Sequence, residues 1–193
     1  MSLRPLSRLG ARLLSLFLLA GCTRDGVSPV EPTAALPSTA SPALLGLLPV
    51  RGLTRSTALA EDISVTAVIG KNGGTIAIPQ AGLTLVVPAG AVGSNVTFRA
   101  TALAGRLVAY EFEPHGLKFA VPLQFKQDLK KTSVTSLLTA PLMQGAYFTD
   151  QTKLDQSSGV ALASELLPAT IDVLNFRVGF PIRHFSGYLV SWY

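Results

Sequence analysis

His184 and Ser186 stand two residues apart in the closing run IRHFSGYLVSWY (182–193), with Phe185 between them. A serine hydroxyl is a weak nucleophile and needs a base within hydrogen-bond reach. In a strand, residues i and i+2 point to one face. An extended run therefore places His184 and Ser186 together and turns Phe185 the other way, into the core. The same residues also read as a purely structural closing strand. Phe185 and Leu189 then share one face, and Tyr188, Val190 and Trp192 the other.

A second group lies near the middle of the chain. Glu111 and Glu113 flank Phe112, so a strand presents both carboxylates on one face, just before Pro114-His115-Gly116-Leu117. Paired carboxylates near a histidine suit acid–base work or a metal. A solvated strand face beside a structural turn accounts for them as well, and is the reading adopted. With two histidines and one cysteine in all, a zinc or transition-metal site lacks ligands. No loop carries an Asp/Asn ladder for Ca²⁺. No metal and no other cofactor is expected. Gly-rich phosphate loops, Gly-x-Ser-x-Gly elbows and His-Glu-x-x-His helices are missing, so a conventional enzyme has little to stand on. Asn95-Val96-Thr97 matches a glycosylation acceptor and reads as accidental.

These residues need elements to position them, and the N-terminus sets the compartment. Arg4, Arg8 and Arg12 precede a short apolar run over 13–20. That run is far below the roughly 20 apolar residues of a spanning helix and makes a signal peptide. Leu19-Ala20-Gly21-Cys22 resembles the lipobox of bacterial lipoproteins. The resemblance implies cleavage before Cys22 and acylation of Cys22, the only cysteine, and so excludes a disulfide. It also implies a place in the cell envelope outside the cytoplasm, attached to the membrane through the N-terminal lipid. Thr23 follows where inner-membrane lipoproteins often carry Asp, which favours the outer membrane in a host with two. Without the first 21 residues the charge falls to 13 basic against 11 acidic side chains (16 − 3 = 13). A balance of +2 gives no argument for nucleic acid.

Residues 22–62 read as the lipidated cysteine and a Pro/Ala/Ser/Thr-rich tether. SPVEPTAALPSTASP (28–42) has four prolines and no aromatic residue, too little to bury for an ordered fold. ALLGLLPV (43–50) is more apolar than a linker; it either lies against the membrane or docks on the domain. From Ile63 to Tyr193 come short β-branched runs in period two, such as GGTIAIP, LTLVVP and VTFRATAL, punctuated by Gly, Pro and Asn. Asn72-Gly73-Gly74 is a strong turn signal. ASELLPAT (163–170) offers at most one helical turn. The fold expected is all-β: one antiparallel sandwich over 63–193.

Three stretches resemble ZU5 domains: NGGTIAIPQAGLTLVVPAGAV (72–92), EPHGLKFAVPLQF (113–125) and HFSGYLVSW (184–192). The resemblance implies a β-sandwich that serves as a protein-interaction or structural module, here with an unknown envelope protein as partner. A few ZU5-containing proteins resemble 184–186 and cut themselves between the Phe and the Ser. By that resemblance Ser186 attacks the Phe185 carbonyl, the peptide becomes an ester by an N-to-O shift, water hydrolyses it, and His184 is the base. This intramolecular autoproteolysis is the alternative. A third reading is a carbohydrate-binding sandwich, with Tyr147, Phe148, Tyr188 and Trp192 as stacking faces.

Overall fold

The computed structural model describes residues 46–137 and 142–192. They all belong to the second of the two units into which the chain divides, Thr39–Tyr193. Leu19, Ala20, Gly21 and Cys22, with the signal peptide and most of the expected tether, lie outside the described residues.

The described residues form sixteen strands and no α-helix. They are β1 (Leu48–Gly52), β2 (Thr54–Leu59), β3 (Ile63–Ile69), β4 (Gly74–Ile78), β5 (Leu83–Val87), β6 (Val96–Ala102), β7 (Gly105–Leu107), β8 (Ala109–Glu113), β9 (Lys118–Asp128), β10 (Met143–Phe148), β11 (Leu154–Asp155), β12 (Val160–Ala163), β13 (Glu165–Pro168), β14 (Thr170–Asp172), β15 (Arg177–His184) and β16 (Gly187–Trp192). One sheet has nine strands, along the path β11-β12-β1-β16-β8-β6-β3, with β10 added to β16 and β13 to β10. The other has five, in the order β14-β15-β9-β5-β4, and β2 and β7 form a separate ribbon. The all-β sandwich is what the alternation in the sequence predicts.

Alternation decides which residues enter the core. Leu83, Leu85 and Val87 of β5 are buried while Thr84 and Val86 are half-buried. Phe98, Ala100 and Ala102 of β6, Leu123, Phe125 and Gln127 of β9, and Val178, Phe180 and Ile182 of β15 follow the same rule. Their apolar members meet between the sheets with Ile76, Phe112, Phe185 and Tyr188. Gly73 turns the chain from β3 to β4 at φ +74, accepting a conformation that side chains disfavour.

A second, smaller core collects Val50, Leu107, Ala146, Phe148, Ala161 and Leu189 among others. Its origin is a closed circuit of pairings. β1 pairs β12; β12 and β13 are separated only by Ser164, whose N–H donates to the Tyr147 carbonyl; β13 pairs β10, β10 pairs β16, and β16 returns to β1. The small residues Ala146, Ala161 and Ala163 belong to this core, while Gly145 makes room on the opposite face for the Phe180 ring, 2.6 Å from where a Cβ would stand.

Two boundaries differ from the sequence reading. Strand order begins at Leu48, inside the segment 22–62 expected to be tether. The Leu53 N–H donates to Val190 at 2.7 Å, and Leu53 is fully buried. Of the apolar run 43–50, Leu48, Pro49 and Val50 dock on the domain as β1. Residues 163–170 are extended rather than helical, because β13 finds backbone partners along Gln144–Tyr147.

Candidate functional site

His184, Phe185 and Ser186 do not lie on one strand. β15 ends at His184 in the five-stranded sheet, and β16 starts at Gly187 in the nine-stranded sheet. Phe185 and Ser186 are the corner where the chain changes sheets. The expected face-sharing of His184 and Ser186 therefore does not arise. The other expectation, Phe185 beside Leu189, also fails. Phe185 joins Tyr188 and Val190 in the inter-sheet core, whereas Leu189 faces the smaller one. A sheet-to-sheet crossing resets the period-two pattern.

The corner is pinned by backbone. Phe185 N–H donates to the Leu117 carbonyl at 2.8 Å, the Phe185 carbonyl accepts from Gly116 N–H at 2.9 Å, and the Ser186 carbonyl accepts from Phe112 N–H at 3.0 Å. The turn Pro114–Leu117 thus reads the closing segment, and Gly116 holds φ +76 to aim its N–H. The Phe185 ring sits among Phe98 at 4.6 Å, Phe119 at 4.8 Å and Phe112 at 5.4 Å between centroids. Gly187 serves close approach rather than an unusual φ, since a Cβ there would fall 2.2 Å from the Phe148 ring.

His184 turns away from the serine. The Tyr188 hydroxyl donates to the His184 carbonyl at 2.8 Å and lies 3.2 Å from Nδ1. Nε2 points to Glu165 Oε2 at 4.0 Å. The Tyr147 ring packs edge-on to the imidazole at 5.0 Å. Burial first, then the charges of Glu165 and Tyr147, push the Tyr188 hydroxyl pKa well above the usual tyrosine value. Among the described residues no hydrogen bond joins His184 to Ser186.

These groups face a cleft of about 410 Å³ on the flank of the sandwich, lined by Glu165, Leu167, Pro168, Pro181, Arg183 and His184. Here an edge of each sheet is open. β13 pairs only β10, and β14 covers β15 only at Arg177–Gly179. Pro168 and Pro181 carry no N–H, which blunts both edges against an added strand.

The other candidates separate. Glu111 and Glu113 share a face as expected, but Glu111 accepts from the Gln151 side chain at 3.0 Å and Glu113 lies 4.0 Å from Arg99. His115 is exposed on the turn beside them. Among the described residues no group of three or more His, Cys, Asp or Glu side chains could hold a metal ion. Phe148 and Tyr188 are buried and present no stacking face, while Tyr147 and Trp192 are half-buried.

Sequence reasoning missed Glu165, Arg183 and the partnership of Tyr188 with His184, which depend on a corner that no local pattern marks. It also missed Arg55. This residue is 2% exposed, and its guanidinium donates to the carbonyls of Leu103, Gly105, Leu107 and Ala109. It lies 5.4 Å from the Tyr110 ring centroid, and burial lowers its pKa. The only hint was one arginine among the small residues of TRSTAL.

No family model matches the chain, and no curated protein matches it in sequence.

Proposed function

We propose that the chain is a lipid-anchored envelope protein whose sandwich, ZU5-like in its motifs, is a protein-interaction module with the flank cleft as its recognition site. The observation that carries this reading is the convergence of Arg183, His184, Glu165 and Tyr188 above Leu167, Pro168 and Pro181. Apolar walls with a few fixed polar groups are the usual make-up of a recognition cleft. Both cleft edges lack proline N–H groups, so recognition runs through side chains rather than through strand addition. The lipobox residues Leu19–Cys22 support the anchor. A photocrosslinking residue at Pro168, introduced in the native envelope, tests the reading. Discrete adducts that vanish with Arg183→Glu are expected. Adducts unaffected by Arg183→Glu, or equally frequent from Thr75 on the opposite edge strand, would refute it.

A second reading, self-cleavage between Phe185 and Ser186, is favoured by one observation. Gly116 N–H already sits 2.9 Å from the carbonyl oxygen on which negative charge would develop. In that reading Ser186 Oγ bonds to the Phe185 carbonyl carbon and the C–N bond breaks, leaving an ester and a free amine. Water then cleaves the ester. His184 must first leave Tyr188 and reach Ser186, and water must reach residues that are 1% and 6% exposed. For these reasons it ranks second.

A further inference from the structure

We infer that the mouth of the small closed circuit of strands is a membrane-contact face, lying on the same lipid surface that anchors the chain. The inference rests on the lipid-anchored reading above. The mouth opens as a cleft of about 330 Å³ bounded by Leu48, Val50, Leu166, Trp192 and the aliphatic stem of Arg51. Leu48 is 42% exposed, and Leu142, next to Met143 that pairs Trp192, is 77% exposed. Leu174, Val173 and Val68 are also more exposed than Leu48, but they do not line this cleft, where Arg51 pairs Trp192 directly. A half-buried tryptophan beside an exposed arginine, with Leu48 and Leu166 in the same cleft, is the side-chain set that sits at the boundary of headgroups and acyl chains.

Chain connectivity selects lipid over other occupants. The polypeptide enters the domain at this mouth, through Gly46, Leu47 and Leu48. Cys22 lies 26 residues before Leu48 (48 − 22). Chain of that length reaches at most about 90 Å, so an anchored domain never leaves the vicinity of the bilayer. Tethering makes docking an intramolecular event at high effective concentration, and a small patch then suffices. The flank cleft adjoins this mouth at Leu166, which lines both, while its polar groups Glu165, Arg183 and His184 lie outside the mouth.

Trp192 is the only tryptophan; it lines this cleft and also packs against the inter-sheet core, so the probe is bromine on the acyl chains, which quenches it only where it meets lipid. The chain purified from an expressing envelope is reconstituted in phosphatidylethanolamine/phosphatidylglycerol vesicles with or without bromine on the acyl chains. Bromine-dependent quenching of Trp192 is expected, and it is lost in Leu48→Asp/Leu142→Asp while that variant still sediments with the vesicles. Both positions are exposed, so folding tolerates the pair, and an unchanged thermal transition checks this. Sedimentation that depends on Cys22 without quenching in the unaltered chain overturns the proposal and leaves the anchor standing. Quenching together with sedimentation indifferent to Cys22→Ala overturns the anchor instead. Neither quenching nor sedimentation overturns both. A blue shift that grows with protein concentration in the absence of lipid assigns the face to a second copy of the chain and also overturns the proposal.

Discussion

Replacing Phe185 by alanine tests the corner most severely. Phe185 is 1% exposed and has three aromatic neighbours within 4.6–5.4 Å of its centroid. Truncating a fully buried phenylalanine costs about 3–5 kcal/mol. Edge-to-face and stacked ring pairs add about 0.5–1.5 kcal/mol each beyond area, which places this site in the upper half of that range. The backbone bonds to Gly116 and Leu117 survive the substitution, so the loss is one of packing. Against a total stability of roughly 5–15 kcal/mol, about 4 kcal/mol removes a large share. Equilibrium unfolding in urea, followed by Trp192 fluorescence, measures it. With a slope of about 2 kcal/mol per molar the midpoint falls by about 2 M while the slope stays constant. Phe185→Leu falls between, and Ser186→Ala stays within about 1 kcal/mol of the parent, because no described partner holds its hydroxyl. A Phe185→Ala loss below about 2 kcal/mol would refute the packing argument and leave the corner free to move.

Other consequences follow from the same geometry. Gly187→Ala drives a Cβ to within 2.2 Å of the Phe148 ring, so the melting temperature falls, and a Phe148→Leu partner change recovers part of it; additive losses would contradict the close-approach account. Arg55→Met removes the guanidinium donor from the carbonyls of Leu103, Gly105 and Leu107 and leaves the Ala109 carbonyl with the Leu103 N–H alone. Orphan groups at about 1–3 kcal/mol each, offset by relief of charge desolvation, give a net loss of about 2–4 kcal/mol by urea titration; Arg55→Lys rescues poorly because a point charge cannot span the four acceptors. Burial pushes Tyr110 up to about 12, partly offset by Arg55 and Gln127. The unfolded chain loses that proton near the ordinary tyrosine value, so the unfolded state binds fewer protons between the two values. Stability contributed by the neutral hydroxyl is complete below the ordinary tyrosine value and is lost as pH rises through that window. Tyr110→Phe therefore flattens the alkaline fall in stability, and an unchanged fall would contradict the assignment.

Much of the sandwich was legible because its strands carry their burial code locally. GGTIAIP, LTLVVP and VTFRATAL alternate, and they appear as β4, β5 and β6. The Asn72-Gly73-Gly74 turn was legible for the same local reason. What depends on distant pairing was not. β1 and β2 lie in a segment whose composition resembles a linker, and they are ordered by distant partners, β1 by Val160–Ala163 and β2 by Gly105–Leu107. The corner at Phe185–Ser186 looks locally like the middle of one strand, so the geometry read from it placed His184 beside Ser186 instead of Tyr188. Arg55 stood out only as an arginine among small residues, because its counter-groups are backbone carbonyls, which any sequence possesses. The residue types of the corner were visible in the sequence; their mutual geometry required the fold.

The intact mass of the protein purified from its native envelope tests the central claim most directly. One species is expected that begins at Cys22, carries acyl chains and retains the Phe185–Ser186 bond. An unmodified N-terminus, or a start elsewhere than Cys22, contradicts the envelope-anchored reading. A break between Phe185 and Ser186 that disappears in Ser186→Ala and His184→Ala displaces the interaction module in favour of self-cleavage.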